Sequence, residues 1–235
     1  MSAKEILEIS NQSYSSLLCD FQICERCSLV DKFFNIKRYD SNCPVCNKHG
    51  NGGKLYFNFG VRSLIDLMQE VYNSKRIISN IDDEKMEVDS RAHYLSVIIF
   101  FITLREVLLQ NFLDEVALIK NIPNSDYELL LSDNWNYSQK QNKLFKSLLN
   151  IKWEKAVEQA NEKDEIDYLS LDKLLKKAVD TRNKFLHEGK SFIITKELAE
   201  ECIINISSLI NLYVRFHNDY VHPFYLDKVL KSDIN

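Results

Sequence analysis

Four cysteines of this chain stand in two close pairs, Cys24-Glu25-Arg26-Cys27 and Cys43-Pro44-Val45-Cys46, with fifteen residues between the pairs. Two intervening residues let both sulfurs of a tight turn reach one ion at about 2.3 Å, the zinc–sulfur distance. A set of four thiolates suits Zn2+ and closes a tetrahedral shell with no position left for a substrate, so such a centre is structural. The spacing leaves two alternatives open, an iron–sulfur cluster and an accidental grouping of thiols. Pro44 and Gly50 stand where the chain has to bend, and His49 is a spare ligand beside a shell already filled.

A second set is cationic. Leu171, Leu174, Leu175, Ala178 and Phe185 recur at helical spacing, and Arg182 falls on the same stripe. A guanidinium on a core-facing line requires an acid, a phosphate or a wet interface. His187 follows five residues later, near a helix end that Gly189 signals. On an ideal helix the two lie about 140° and about 7.5 Å apart, and the length of an arginine lets both border one groove. The plain alternative makes His187 a helix cap that interacts with the dipole. Arg215 and His222 repeat the pattern with six residues between them, but Phe216 rather than a polar residue follows that arginine. Arg91 with His93, and Arg215 with His217, otherwise read as surface or helix-end residues. Cys202, beside Ile203 and Ile204, reads as a small core residue, and Cys19 stands apart.

The elements that position these groups follow from composition and periodicity. With 45% hydrophobic residues, 5 Gly and 3 Pro, the chain has ample core and few turn residues, which favours long helices. Three regions emerge: a short helix in 1–18, a loop-rich module in 19–59 that holds five of the 6 cysteines, and a helical domain in 60–235. Helices are expected at 61–72, 88–119, 138–161, 170–187 and 195–218, with a loop at Asp82-Asp83-Glu84 and Thr195 as an N-cap. The helix at 88–119 is apolar on nearly all sides in its middle, as a buried central helix should be. Its longest apolar run, Val97 to Leu104, is short of the roughly 20 residues that span a bilayer. The N-terminus lacks the basic flank and apolar run of an export signal. A cytoplasmic protein without a membrane segment is the expectation.

A net charge of −4 gives no global sign of nucleic-acid binding, so any such site must be a local basic patch. The cysteine module supplies one candidate. Arg26, Lys32, Lys37, Arg38, Lys48 and Lys54 outnumber its acids, and Phe33, Phe34 and Tyr39 lie among them. Basic plus aromatic surface fits single-stranded nucleic acid; equally, the aromatics can be core and the lysines a solvated face.

The cysteine pattern resembles a zinc ribbon, with Phe33–Ile36 and Leu55–Phe59 as its strands. Arg182-Asn183-Lys184-Phe185-Leu186-His187 resembles the Arg-x4–6-His motif of HEPN domains, including the polar residue directly after the arginine. Leu144-Phe145-Lys146-Ser147-Leu148-Leu149, a long apolar helix bearing Glu106 and a closing helix are the surroundings that family would require. The resemblance spans roughly 60–220. It implies a mainly α protein, an antiparallel helical bundle preceded by a small β zinc ribbon, that forms a homodimer. It further implies a metal-independent endoribonuclease, a toxin or antiviral-defence effector with a possible antitoxin or defence-system partner. Arg182 would hold the scissile phosphate of RNA, His187 would move the proton for attack by the 2′-hydroxyl, and Asn183 would orient the pair. Glu106 would be either an acid near the site or a salt-bridge partner. The alternative is a non-catalytic scaffold or regulator whose ribbon binds nucleic acid or protein.

Overall fold

A computed structural model describes residues 22–24, 26–31, 43, 45–46, 53–54, 59–78 and 86–232. The described chain is mainly helical. Three two-residue strands, β1 (Gln22–Ile23), β2 (Val30–Asp31) and β3 (Gly53–Lys54), pair antiparallel in the order β2-β1-β3. Gln22 faces Asp31 and Ile23 faces Val30 across the first pair. These ladders are shorter than a ribbon of two full strands. The strand residues expected at 33–36 and 55–58 lie outside the described residues, as do the helix expected in 2–18 and the loop at 82–84. Phe59, expected to end a strand, instead opens a helix.

The helices are α1 (Phe59–Ile78), α2 (Met86–Ile119), α3 (Asn124–Asp133), α4 (Tyr137–Gln139), α5 (Phe145–Leu149), α6 (Trp153–Lys163), α7 (Tyr168–Glu188), α8 (Lys196–Ile204), α9 (Ile206–Phe216) and α10 (His222–Ser232). Two π-helical turns, Lys140–Leu144 and His217–Val221, join α4 to α5 and α9 to α10.

The chain divides into two compact units. The first includes the described parts of Phe57–Val107 and Leu169–Leu209. Its buried side chains come from α1 (Val61, Ile65, Met68), the first part of α2 (Val97, Ile98, Phe101, Ile102), α7 (Leu171, Leu175, Ala178) and α8 (Leu198, Ala199, Cys202). The second takes the described parts of Cys19–Tyr56 and Ile210–Asn235 together with Leu108–Tyr168. At its centre Phe112, Phe145, Trp153 and Phe216 meet with ring centroids 5.3 to 5.9 Å apart, mostly tilted or edge-on. Such pairs add about 0.5–1.5 kcal/mol each beyond the area they bury.

Several boundaries depart from the periodicity. The stretch expected as one helix over 138–161 breaks at Asn150, whose left-handed φ of 57° ends α5. The stretch over 195–218 breaks at Asn205, whose amide bonds back to the Glu201 carbonyl. Helix α3 carries no buried residue and so shows no apolar face to detect. Helix α10, which follows directly on the π-turn His217–Val221, runs past Pro223. Thr195 does cap α8, accepting from the Leu198 N–H. Residues Arg91–Ile119 of α2 are long and apolar enough to cross a membrane by length and composition, although no uninterrupted run in them is that long; half of their most apolar window is buried inside the protein. Arg105, 5% exposed, lies in that stretch.

Candidate functional site

The first site is built on a turn. Ser28 N–H donates to the Cys24 carbonyl and Cys24 N–H to the Leu29 carbonyl, both at 2.8 Å, so the chain folds back between β1 and β2. The residue just after Cys27 must take a left-handed conformation for this, and Ser28 does so at φ 59°. Neither Pro44 nor Gly50, the bends expected from the sequence, lies among the described residues; the same holds for His49 and Cys19.

This turn brings the sulfurs of Cys24 and Cys27 to those of Cys43 and Cys46, and all four lie within 4.8 Å of one another. Cys24 Sγ is 3.8 Å from Cys46 Sγ, and Cys27 Sγ is 3.6 Å from Cys43 Sγ. Disulfides would need about 2.05 Å. A tetrahedron with metal–sulfur bonds of about 2.3 Å has sulfur–sulfur edges of about 3.8 Å. The set can hold a metal ion. Burial pushes the Cys27 and Cys43 thiols up in pKa; at Cys24 burial is opposed by hydrogen bonds from the backbone N–H groups of Cys27 and Arg26 and from the Cys27 and Cys43 side chains, which together lower it. A bound cation would deprotonate all four outright. Cys202 is buried elsewhere, and its thiol is pushed up by that burial.

The helical residues that hold this turn were not evident from the sequence. His217 lies with Nε2 2.7 Å from the Ser28 carbonyl oxygen and Nδ1 2.9 Å from Glu115 Oε2. Asn218 bonds to both the N–H and the carbonyl of Val30. His222 donates from Nδ1 to the Cys27 carbonyl. His217 is therefore not the surface or helix-end residue expected: it is 7% exposed, as is His222. No local signal announces these contacts, since those to the turn join residues 188 to 195 positions apart and that to Glu115 spans 102.

The second site lies at the end of α7. Gly189, at φ 66°, closes the helix with its N–H on the Phe185 carbonyl, so the glycine stop expected from the sequence is present. Arg182 sits partly exposed, its side chain at 27%. Its Nε and Nη2 donate to the Asn183 side-chain oxygen at 3.2 and 3.1 Å. Its Nη1 stands 3.7 Å from Glu106 Oε1, a loose interhelical pair in which the acid is 41% exposed. His187, in the last turn, is exposed. An arginine held on one edge by its neighbour, with a weak carboxylate on the other, can receive a phosphate; an exposed imidazole can exchange a proton.

The second arginine–histidine pair is brought to a different end. Arg215 makes a two-pronged bond to the Asp164 carboxylate, and Tyr168 donates to that same carboxylate at 2.7 Å. The hydrogen bond to Asp164 raises the Arg215 pKa, while burial and then Asp164 raise that of Tyr168. Of the basic residues expected to face nucleic acid, Arg26 is exposed on the cysteine turn, and Lys32, Lys37 and Arg38 lie outside the described residues.

Comparison with protein-family models, curated proteins and solved structures finds no match for this chain.

Proposed function

We propose that the chain is a HEPN-type endoribonuclease that cuts RNA without a metal at the scissile bond. The observation that carries this reading is the state of Arg182: oriented by Asn183, tied only loosely to Glu106, and followed by an exposed His187 at the helix end. An exposed ion pair contributes about 0–1 kcal/mol, so an RNA phosphate can displace Glu106 at little cost. Arg182 then pairs with the phosphate oxygens and stabilises the charge that grows on them during attack. His187 removes the proton of the 2′-hydroxyl or returns one to the departing 5′-oxygen. The O2′–phosphorus bond forms as the bond to the 5′-oxygen breaks, leaving a 2′,3′-cyclic phosphate and a 5′-hydroxyl. In this reading two chains form a homodimer and each supplies one such pair to a shared cleft, as in a toxin or defence effector held in check by a partner.

In the same proposal the ion on the four cysteines is zinc, held as in a zinc ribbon, where it does no chemistry and supports folding. Arg26, exposed on the cysteine turn, adds affinity for RNA. The test is incubation of a labelled RNA with the purified chain in buffer without added divalent metal. Cyclic phosphate ends with the wild type, and none with His187→Ala, are expected. Cutting at the wild-type rate by both His187→Ala and Arg182→Ala would sink the nuclease reading and leave the scaffold or regulator.

A further inference from the structure

The π-turn His217–Val221 is the least ordinary piece of backbone near the cysteines. Its closing bond runs from the His222 N–H to the His217 carbonyl, five residues back. In an α-helix residues five apart point about 140° away from each other. The extra residue in this turn stacks His217 and His222 along one side instead, and π-turns of this kind gather at functional sites.

What that side does is specific. Asn218 accepts from the Val30 N–H at 2.9 Å and donates to the Val30 carbonyl at 2.7 Å, the two bonds that a residue of a neighbouring antiparallel strand would make. His217 reaches the Ser28 carbonyl at 2.7 Å and the Ser28 hydroxyl at 3.2 Å, and its other ring nitrogen is braced by Glu115. His222 bonds to the carbonyl of Cys27, one of the four sulfur bearers, at 2.5 Å. Further along α10, Leu226 and Val229 pack against the buried Cys24, Cys27 and Cys43. His217, Asn218, His222, Leu226 and Val229 thus all face the backbone or the flank of the cysteine centre.

We propose that His217, Asn218 and His222 are positioning residues of the metal centre, an outer clamp that holds residues 27–30 in the shape the ion requires. Metal binding and the ordering of residues 217–229 are then one equilibrium: each favours the other by the same factor. The proposal rests on the four cysteines binding a metal, taken as zinc.

The experiment uses the full chain. Zinc content is measured first, then zinc affinity by competition with a chromophoric chelator, then backbone hydrogen exchange with and without zinc. Loss of an outer hydrogen-bond partner commonly weakens metal binding about 10–100-fold, and that loss is expected for Asn218→Ala and for His222→Ala. His222→Asn keeps an N–H where Nδ1 stood and should recover most of the affinity, which a merely bulky role for the ring would not explain. Stripping zinc from the wild type should speed exchange across 217–229 and leave residues 171–178 of α7 protected. A chain that binds no zinc would remove both the metal reading and this one. A chain that binds zinc, but whose exchange over 217–229 ignores it and whose Asn218→Ala variant binds as tightly, would remove the clamp alone.

Discussion

Two arginine–histidine segments of this chain share one sequence pattern and have opposite surroundings. The arginines are almost equally accessible, 27% for Arg182 and 28% for Arg215, so exposure does not tell them apart. Their partners do. Arg215 grips both oxygens of Asp164, a carboxylate 18% exposed that also accepts from Tyr168, and His222 is committed to a backbone carbonyl. Among the described residues Arg182 has a neighbour's amide and one acid at 3.7 Å, and His187 is exposed. A saturated pair stabilises the fold and has nothing left for a substrate. An under-bonded pair adds little stability and can bind something else. That difference is what separates a structural motif from a candidate site here.

The comparison breaks most visibly on activity. His187→Ala should lower the cutting rate by about 10²–10⁴-fold, the usual worth of a positioned acid or base, and Arg182→Ala by about 10²–10³-fold, both measured on RNA with the fold checked by circular dichroism. The mirror variant, Arg215→Met, should cut at the wild-type rate per folded molecule yet lose about 1.5–3 kcal/mol in urea unfolding, since it strips a charged hydrogen bond from a partly buried acid. An active-site role for the second pair would show as the reverse result. A smaller effect follows from Tyr168. Its folded pKa is raised, first by burial and then by Asp164, so the stability it contributes is whole below about pH 10, the unfolded value, and is lost as pH climbs towards the folded one. Tyr168→Phe should flatten part of the alkaline fall in the urea midpoint; Tyr127, Tyr220 and Cys202, raised chiefly by burial as well, still contribute to that fall. Least of all, Glu106→Gln should change stability by under about 1 kcal/mol while tightening RNA binding, and a large loss of stability there would show the Arg182 pair to be structural after all.

Much of this was legible in the residues. The two Cys-x2-Cys pairs announce their meeting because a turn of that length has few ways to present two sulfurs. The buried middle of α2, the Thr195 cap and the Gly189 stop are local features, and local backbone preference was enough to find them. Helix α3 escaped because none of its residues is buried, and the breaks at Asn150 and Asn205 escaped because asparagine is permitted, not required, to end a helix.

By itself, then, the order of residues determined which groups could bind an ion and which two arginine–histidine pairs deserved comparison. Only the tertiary structure showed how differently the two arginines are bonded, and that His217, Asn218 and His222 reach the cysteine turn. The physical reason is range: Asp164 reaches Arg215 across 51 positions, and His217 reaches Ser28 across 189. Hydrogen bonds act over about 3 Å of space, and no spacing rule along a chain records which distant carbonyl or carboxylate will arrive there.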